Sequence, residues 1–424
     1  MGDLQDIIEE QINKAPRFIL IELIVQKLNA EKIIDPQVIA ELIADHIIAG
    51  NREPFHWDTG DGDSREISLS ISEEDLASAA NKLDKFLETF PNKIEPITDN
   101  ISFMMLKSLK KSWKIERKLQ ISELSEFRDR LEYRWGKPLE LLRMLLTVAR
   151  DFGTAAFKHD PNLEIQGRKN LRDVLLRLHV RACQVTSEII ALIESGYADG
   201  AMARWRTLHE IGVVATFISD AGEETAERYI AHQAVEAKVG MSEYERCYKT
   251  LGYRPISKRI SKMIEHEYIA TINRFGSDFS TPYGWAASHL KNKRPTFRDI
   301  ENKIGRSNMR SYYKLASSNV HAGPHGAFFR LGLFDGTSGL LAGASNAGFT
   351  EPGQNTGHSL VQISALLLGE KSDFDQIVTI KVMKSIRDEI AKAFVKADRK
   401  LRQDHLAIHS ATLKGKAQRR EKRL

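Results

Sequence analysis

Between Leu171 and Ile272 apolar residues recur at helical spacing, and the pattern breaks only at Ser195-Gly196, at Gly222 and at Gly252-Tyr253-Arg254-Pro255. A period near 3.6 residues buries one stripe of each helix, and such stripes are satisfied by packing helix on helix. Glycine and proline then mark where each helix stops. This block therefore predicts three or four long amphipathic helices with short connections, as in an antiparallel bundle. The overall expectation is a mainly α fold: a long antiparallel helix bundle, a small glycine-rich β-hairpin insertion and a helical N-terminal region.

The flanking segments extend this reading. In the first fifty residues Ile7, Ile8 and Ile12, then Phe18 to Leu28, then Pro36 to Ile48 read as three short helices. They carry no recognition helix rich in Arg, Asn or Gln, which favours a packing or protein-contact role over a winged-helix one. Asp58 to Asp63 lacks the order and terminal glutamate of a calcium loop, and reads as a loop. Ile67, Leu69 and Ile71 alternate with polar residues, predicting one short strand. Ser72-Glu73-Glu74-Asp75 resembles a capping box that opens a helix to Phe90, with Pro91 and Pro96 beyond it. Helix is expected again from Ile101 to Phe157, interrupted near Gly136-Lys137-Pro138. Nine of the 27 glycines fall between Gly323 and Gly357. There, Ala327–Leu333 and Leu340–Ala344 around Asp335-Gly336-Thr337-Ser338-Gly339 predict the β-hairpin. Helices return at Thr356–Leu368 and Asp373–Leu401. The expected organisation is a small helical region over 1–55, a linker with helices over 56–135, the bundle over 136–385 and a basic helix and tail over 386–424.

Of the 424 residues 42% are hydrophobic and 28% charged, a globular balance rather than a disordered one. No run approaches the ~18 apolar residues of a membrane span, and the N-terminus lacks the n- and h-regions of a signal peptide. With two separate cysteines, Cys183 and Cys247, outside any CxxC pair, the expectation is a cytoplasmic chain that contacts no membrane. The net charge of +5 is concentrated in one place: residues 396–424 hold ten Lys/Arg against three Asp/Glu. This tail either frays in solvent or holds RNA or another nucleic acid through phosphate contacts.

Two segments concentrate chemistry-bearing side chains. In Ala203-Arg204-Trp205-Arg206-Thr207-Leu208-His209-Glu210, Arg206 and Glu210 share a helix face, as do Trp205 and His209. Charges in so apolar a helix must be paired or line a cavity. In the second segment Tyr313, Ser317 and His321 fall at i, i+4 and i+8, with Gly323-Pro324 ending the helix just beyond. A histidine there would feel the negative end of the helix, which favours its protonated form. The two segments predict a cavity receiving Arg206, Glu210, Tyr313, Ser317 and His321, or else a satisfied polar network that fixes helix register. No cofactor and no metal is expected: Gly323 and Pro324 keep His321 and His325 off a shared helix, and no phosphate loop or serine-nucleophile elbow is present.

The run Leu192 to Glu210, with Tyr283-Gly284-Trp285-Ala286, Tyr313…Ser317…His321 and Ser345-Asn346-Ala347-Gly348, resembles a bacterial family catalogued as domain of unknown function 5677, over roughly residues 140–370. That family carries no agreed activity. A looser resemblance is to the HEPN superfamily of helical bundles, many of them metal-independent ribonucleases of toxin and defence systems. Their signature is arginine, four to six residues, then histidine, which Arg204 and His209 match, although Trp205 stands where a small polar residue is usual. The resemblance implies His209 as the proton-transfer residue and Arg204 as the phosphate stabiliser. His321 would join them in the catalytic set, and Arg206, Glu210, Tyr313 and Ser317 would orient them or bind substrate. Five residues turn a helix by about 140°, so Arg204 and His209 would meet only across a kink or in a homodimer. The alternative is a non-catalytic binding or regulatory protein whose polar cluster is structural.

Overall fold

The computed structural model describes residues 2–51, 53–57, 68–158, 167–334, 340–369 and 372–421. The chain divides into two compact units, Met1–Ile121 and Ser122–Leu424. Among the described residues the regular structure is helical throughout and no strand occurs.

The first unit begins with α1 (Gly2–Ala30) and α2 (Pro36–Ile48). The two helices expected before Leu28 are one, with Pro16 inside it. Pro36 starts α2 with its φ already suited to a first helical position. Ile21, Ile24 and Leu28 of α1 bury against Ile39, Ala40 and Ala44 of α2. The Arg17 guanidinium adds two hydrogen bonds to the Asp45 carboxylate, of 2.7 and 2.8 Å. α3 (Glu73–Lys158) opens with the expected capping box. The Ser72 hydroxyl accepts from the Asp75 amide, and the Asp75 carboxylate accepts from the Ser72 amide. Lys27 of α1 pairs with Asp75 at 2.6 Å, holding that carboxyl down to about 2 together with the Ser72 donors.

α3 does not stop at Phe90 or at Gly136-Lys137-Pro138, but runs unbroken through 86 residues and through Pro91, Pro96 and Pro138. A proline inside a helix costs about 3 kcal/mol by losing a donor and crowding the preceding turn. Around Pro138 that cost is offset locally, because Leu131, Trp135, Leu139, Leu142 and Leu145 are each at most 2% exposed. A hydrophobic helix face this complete outweighs the single break.

In the second unit the end of α3 joins α4 (Lys169–Glu194), α5 (Ala198–Ala221), α13 (Thr350–Ala365) and α14 (Phe374–Glu421) in one continuous core. Between them lie α6 (Glu223–Ala231), α7 (Gln233–Cys247), α8 (Lys258–Phe275), α9 (Ala287–Leu290), α10 (Phe297–Lys303), α11 (Arg310–Ser318) and α12 (Pro324–Phe328). The helices α4 and α5 end at Gly196 (φ 84°) and Gly222 (φ 85°), a left-handed geometry that glycine adopts at no steric cost. α5 packs along α4, α13 packs on both, and α14 packs on α13.

The glycine-rich region is not a β-hairpin. Ala327 and Phe328 end the short helix α12, and residues 329–334 and 340–349 are irregular; the expected turn, 335–339, lies outside the described residues. The backbone groups find partners other than a strand. The Leu331 amide donates to Asp199 at 3.0 Å, and the Ser345 amide donates to the Gly196 carbonyl at 2.9 Å. A Cβ on Gly348 would stand 2.2 Å from the Leu331 carbonyl oxygen, so glycine here permits a close crossing rather than a ladder. Leu69 and Ile71 likewise form no strand, while Ile67 and the loop from Asp58 to Asp63 lie outside the described residues.

Candidate functional site

α5 presents its polar side chains in three directions. Arg204 turns to α4, where its Nε donates to the Glu188 carboxylate and its Nη1 donates to Thr207 Oγ1 at 3.2 Å. Trp205 is fully buried and its Nε1 donates to Ser359 of α13 at 3.1 Å. His209 turns to α10 and lies 3.0 Å from Glu301, through its Nε2. The 140° between Arg204 and His209 is thus used to reach two separate carboxylates, and the pair does not converge.

His209 is 6% exposed and Glu301 is completely buried. The second oxygen of Glu301 accepts from Arg310 of α11 at 2.6 Å. Burial lowers the pKa of His209, against the pull of the Glu301 hydrogen bond, so the ring is held neutral. A carboxylate accepting from both sides requires the hydrogen of that neutral ring to be on Nε2. The ring is packed against Trp205 and Tyr313, with centroids 5.3 and 5.7 Å away. His209, Glu301 and Arg310 therefore join α5, α10 and α11 through a chain of charge-assisted bonds, buried at His209 and Glu301 and part-exposed at Arg310. The adjoining cavity, lined by His209, Arg306, His358 and Gln362 among others, has a volume of about 10 Å³, the room of a single water.

On the neighbouring face Arg206, Glu210, Tyr313 and His321 do come together. Arg206 Nε donates to Glu210 at 3.1 Å, and the Tyr313 hydroxyl donates to the same oxygen at 2.7 Å. The Arg206 guanidinium lies over the Tyr313 ring, 4.9 Å from its centroid, and its Nη1 donates to His321 Nε2 at 3.4 Å. Burial and the Glu210 hydrogen bond push the Tyr313 hydroxyl up to about 12. Burial opposes the charge of Arg206, but Tyr313 and Glu210 outweigh it and raise its pKa. Ser317 is not part of the cluster: its hydroxyl donates back to the Tyr313 carbonyl at 2.7 Å. Nor does His321 occupy the last helical turn. α11 ends at Ser318, and His321 is exposed in the following turn, its amide donating to the Ser317 carbonyl.

The remaining motifs are absorbed by packing. Gly284 lies against the Phe279 carbonyl, where a Cβ would approach to 2.3 Å, and the Trp285 carbonyl accepts from buried Arg228. Asn346 Oδ1 accepts from Trp135 Nε1 at 2.8 Å. Cys183 is buried beside His179; burial pushes its thiol up to about 11 and the histidine down to about 4. Among the described residues no three metal-ligating side chains gather in one place, and no helix is long and apolar enough to cross a membrane. The partners Glu188, Glu301 and Arg310 went unread in the sequence. The one signal for Glu301 is its spacing four residues after buried Phe297.

Residues 172–338 match the model of a family described as "Family of unknown function (DUF5677)". No curated protein and no solved structure matches the chain.

Proposed function

With residues 172–338 matching the model of a family of unknown function, we propose that this is a non-catalytic binding or regulatory protein. In this reading the polar residues of α5 hold the helical core, and the basic C-terminal segment contacts RNA. The observation that carries it is the separation of Arg204 and His209 into different pairs, a part-exposed one with Glu188 and a buried one with Glu301. A metal-independent ribonuclease needs one nitrogen of the histidine free to move a proton beside an arginine facing the same phosphate. Releasing His209 would leave Glu301 buried beside a broken pair, which costs several kcal/mol. The tail, by contrast, carries its excess of seven positive charges close together, the pattern that binds phosphate backbones without reading sequence.

One observation favours a second reading, a HEPN-like ribonuclease or toxin with a displaced centre. Exposed His321 lies 3.4 Å from the Arg206 guanidinium, so a proton-moving group and a phosphate-stabilising group are adjacent there. The test is incubation of purified protein with total RNA and with tRNA, without and with EDTA, alongside His209→Ala and His321→Ala. The proposed function predicts intact RNA and a salt-sensitive gel shift that is lost when residues 413–424, which hold six of the ten cations and lie beyond the described core, are removed. EDTA-resistant cleavage lost in His321→Ala supports the second reading. Cleavage lost in a folded His209→Ala protein instead restores the Arg204–His209 pair as the centre.

A further inference from the structure

Within the first unit, the stretch of α3 from Ile101 to Leu119 packs against nothing over most of its circumference. Phe103, Met104, Leu109, Trp113 and Ile115 are 53–68% exposed, and every residue from Ser102 to Leu119 is exposed. Exposed apolar side chains in such density, on one continuous helix, mark a surface that something covers.

The arrangement around the helix says what. At 100° per residue, Lys107, Lys110, Lys111, Lys114, Arg117 and Lys118 occupy an arc of about 120°. Met104, Ile115, Ile101, Leu119, Met105, Leu109, Trp113 and Leu106 occupy an opposite arc of about 200°. Phe103 alone stands within the basic arc; the broader arc also carries Ser102, Ser108, Ser112 and, about 20° from its middle, Glu116, the single acidic residue of the stretch. Trp113 sits at the seam between the two arcs, where an amphipathic ring suits a water–lipid boundary.

We propose that Ile101–Leu119 lies in the interface of an anionic lipid bilayer, with the apolar arc among the acyl chains and the six cations at the headgroups. The absence of a spanning helix does not bear on such contact, which needs an amphipathic helix of ordinary length lying in the membrane plane. Charge complementarity selects this occupant over a second copy of the chain. A coiled-coil partner is met by a narrow seam flanked by carboxylates and cations that pair across it. Here the apolar arc is too broad for that seam, and its flanks supply cations with no carboxylates opposite. Long lysine stems extend the apolar surface while their ammonium groups reach the phosphates.

The test is co-sedimentation of the full chain with phosphatidylcholine vesicles, with and without phosphatidylserine as the anionic lipid. Two variants accompany it: Leu109→Asp/Trp113→Asp on the apolar arc and Lys110→Glu/Lys114→Glu on the basic arc. All four side chains are exposed, so both variants should keep the wild-type circular dichroism spectrum. The proposal predicts binding to the anionic vesicles alone, weakened by salt, and reduced by more than roughly tenfold in each variant. It is overturned if the wild type ignores phosphatidylserine, or if either folded variant binds as the wild type does. It is equally overturned if the wild type sediments as a dimer that Leu109→Asp/Trp113→Asp converts to monomer, since the arc would then be covered by a second copy.

Discussion

His209 gains its character from partners distant in sequence. Glu301 gives it a hydrogen bond and a buried negative neighbour, yet burial prevails and the ring stays neutral. Buried His179, on α4, is neutral for the same reason, with its pKa pushed down to about 4 from 6.5. In the unfolded chain such a ring takes up a proton that the folded chain refuses until lower pH. Stability is therefore undiminished above about 6.5 and falls as pH drops from there toward about 4. The urea midpoint should decline over that window, and His179→Gln should flatten part of the decline. Tyr313 gives the opposite sign at alkaline pH. Its hydroxyl, raised to about 12, favours the fold below the ordinary tyrosine value near 10. That contribution is lost as pH rises through about 12, so ultraviolet titration should show a late-ionising tyrosine that Tyr313→Phe removes. Spacing at i, i+4 fails for Ser317, which bonds back to Tyr313, and for His321, which lies beyond α11, whereas the Arg206–Glu210 pair was legible in the sequence because that spacing fixes a helix face. Glu188, Glu301 and Arg310 were not, because which helices become neighbours is decided by apolar packing far from the charged groups themselves.

At the scale of elements, the breaks at Gly196, Gly222 and Gly252-Tyr253-Arg254-Pro255 occur, while those expected at Phe90 and at Gly136-Lys137-Pro138 do not. Gly196 and Gly222 take positive φ and end their helices outright, whereas Pro138 imposes a local cost that its buried neighbours offset. The glycine-rich stretch misled differently. Alternation with glycine suggests strands, but Gly326 and Gly348 serve as points where backbone crosses backbone closely. Helix packing has similar contacts: a Cβ on Gly353 of α13 would lie 2.3 Å from the Phe394 ring of α14. Gly353→Ala must push that ring out of a fully buried position. It should destabilise the second unit by about 1–3 kcal/mol, read as a lowered urea midpoint with an unchanged slope.

At the scale of the whole molecule, each unit has a core of its own: Ile21, Ile24, Leu28, Ile39, Ala40 and Ala44 in the first, and the large cluster around Trp135, Trp205 and Phe349 in the second. A separate hydrophobic core is the physical basis of independent folding. The fragment Ser122–Leu424 should therefore keep the near-ultraviolet signal of its buried tryptophans, and its loss on truncation would show that the first unit is needed. Within that second unit the central claim is that α5 carries a structural clamp, His209–Glu301–Arg310, and not a catalytic pair. The measurement that tests it most directly is equilibrium urea unfolding of Glu301→Ala against the wild type. Removing a fully buried carboxylate leaves the buried, neutral His209 ring without its acceptor and the part-exposed Arg310 without its partner, and the account predicts a loss of about 1–3 kcal/mol. A Glu301→Ala protein as stable as the wild type, within about 0.5 kcal/mol, would contradict it.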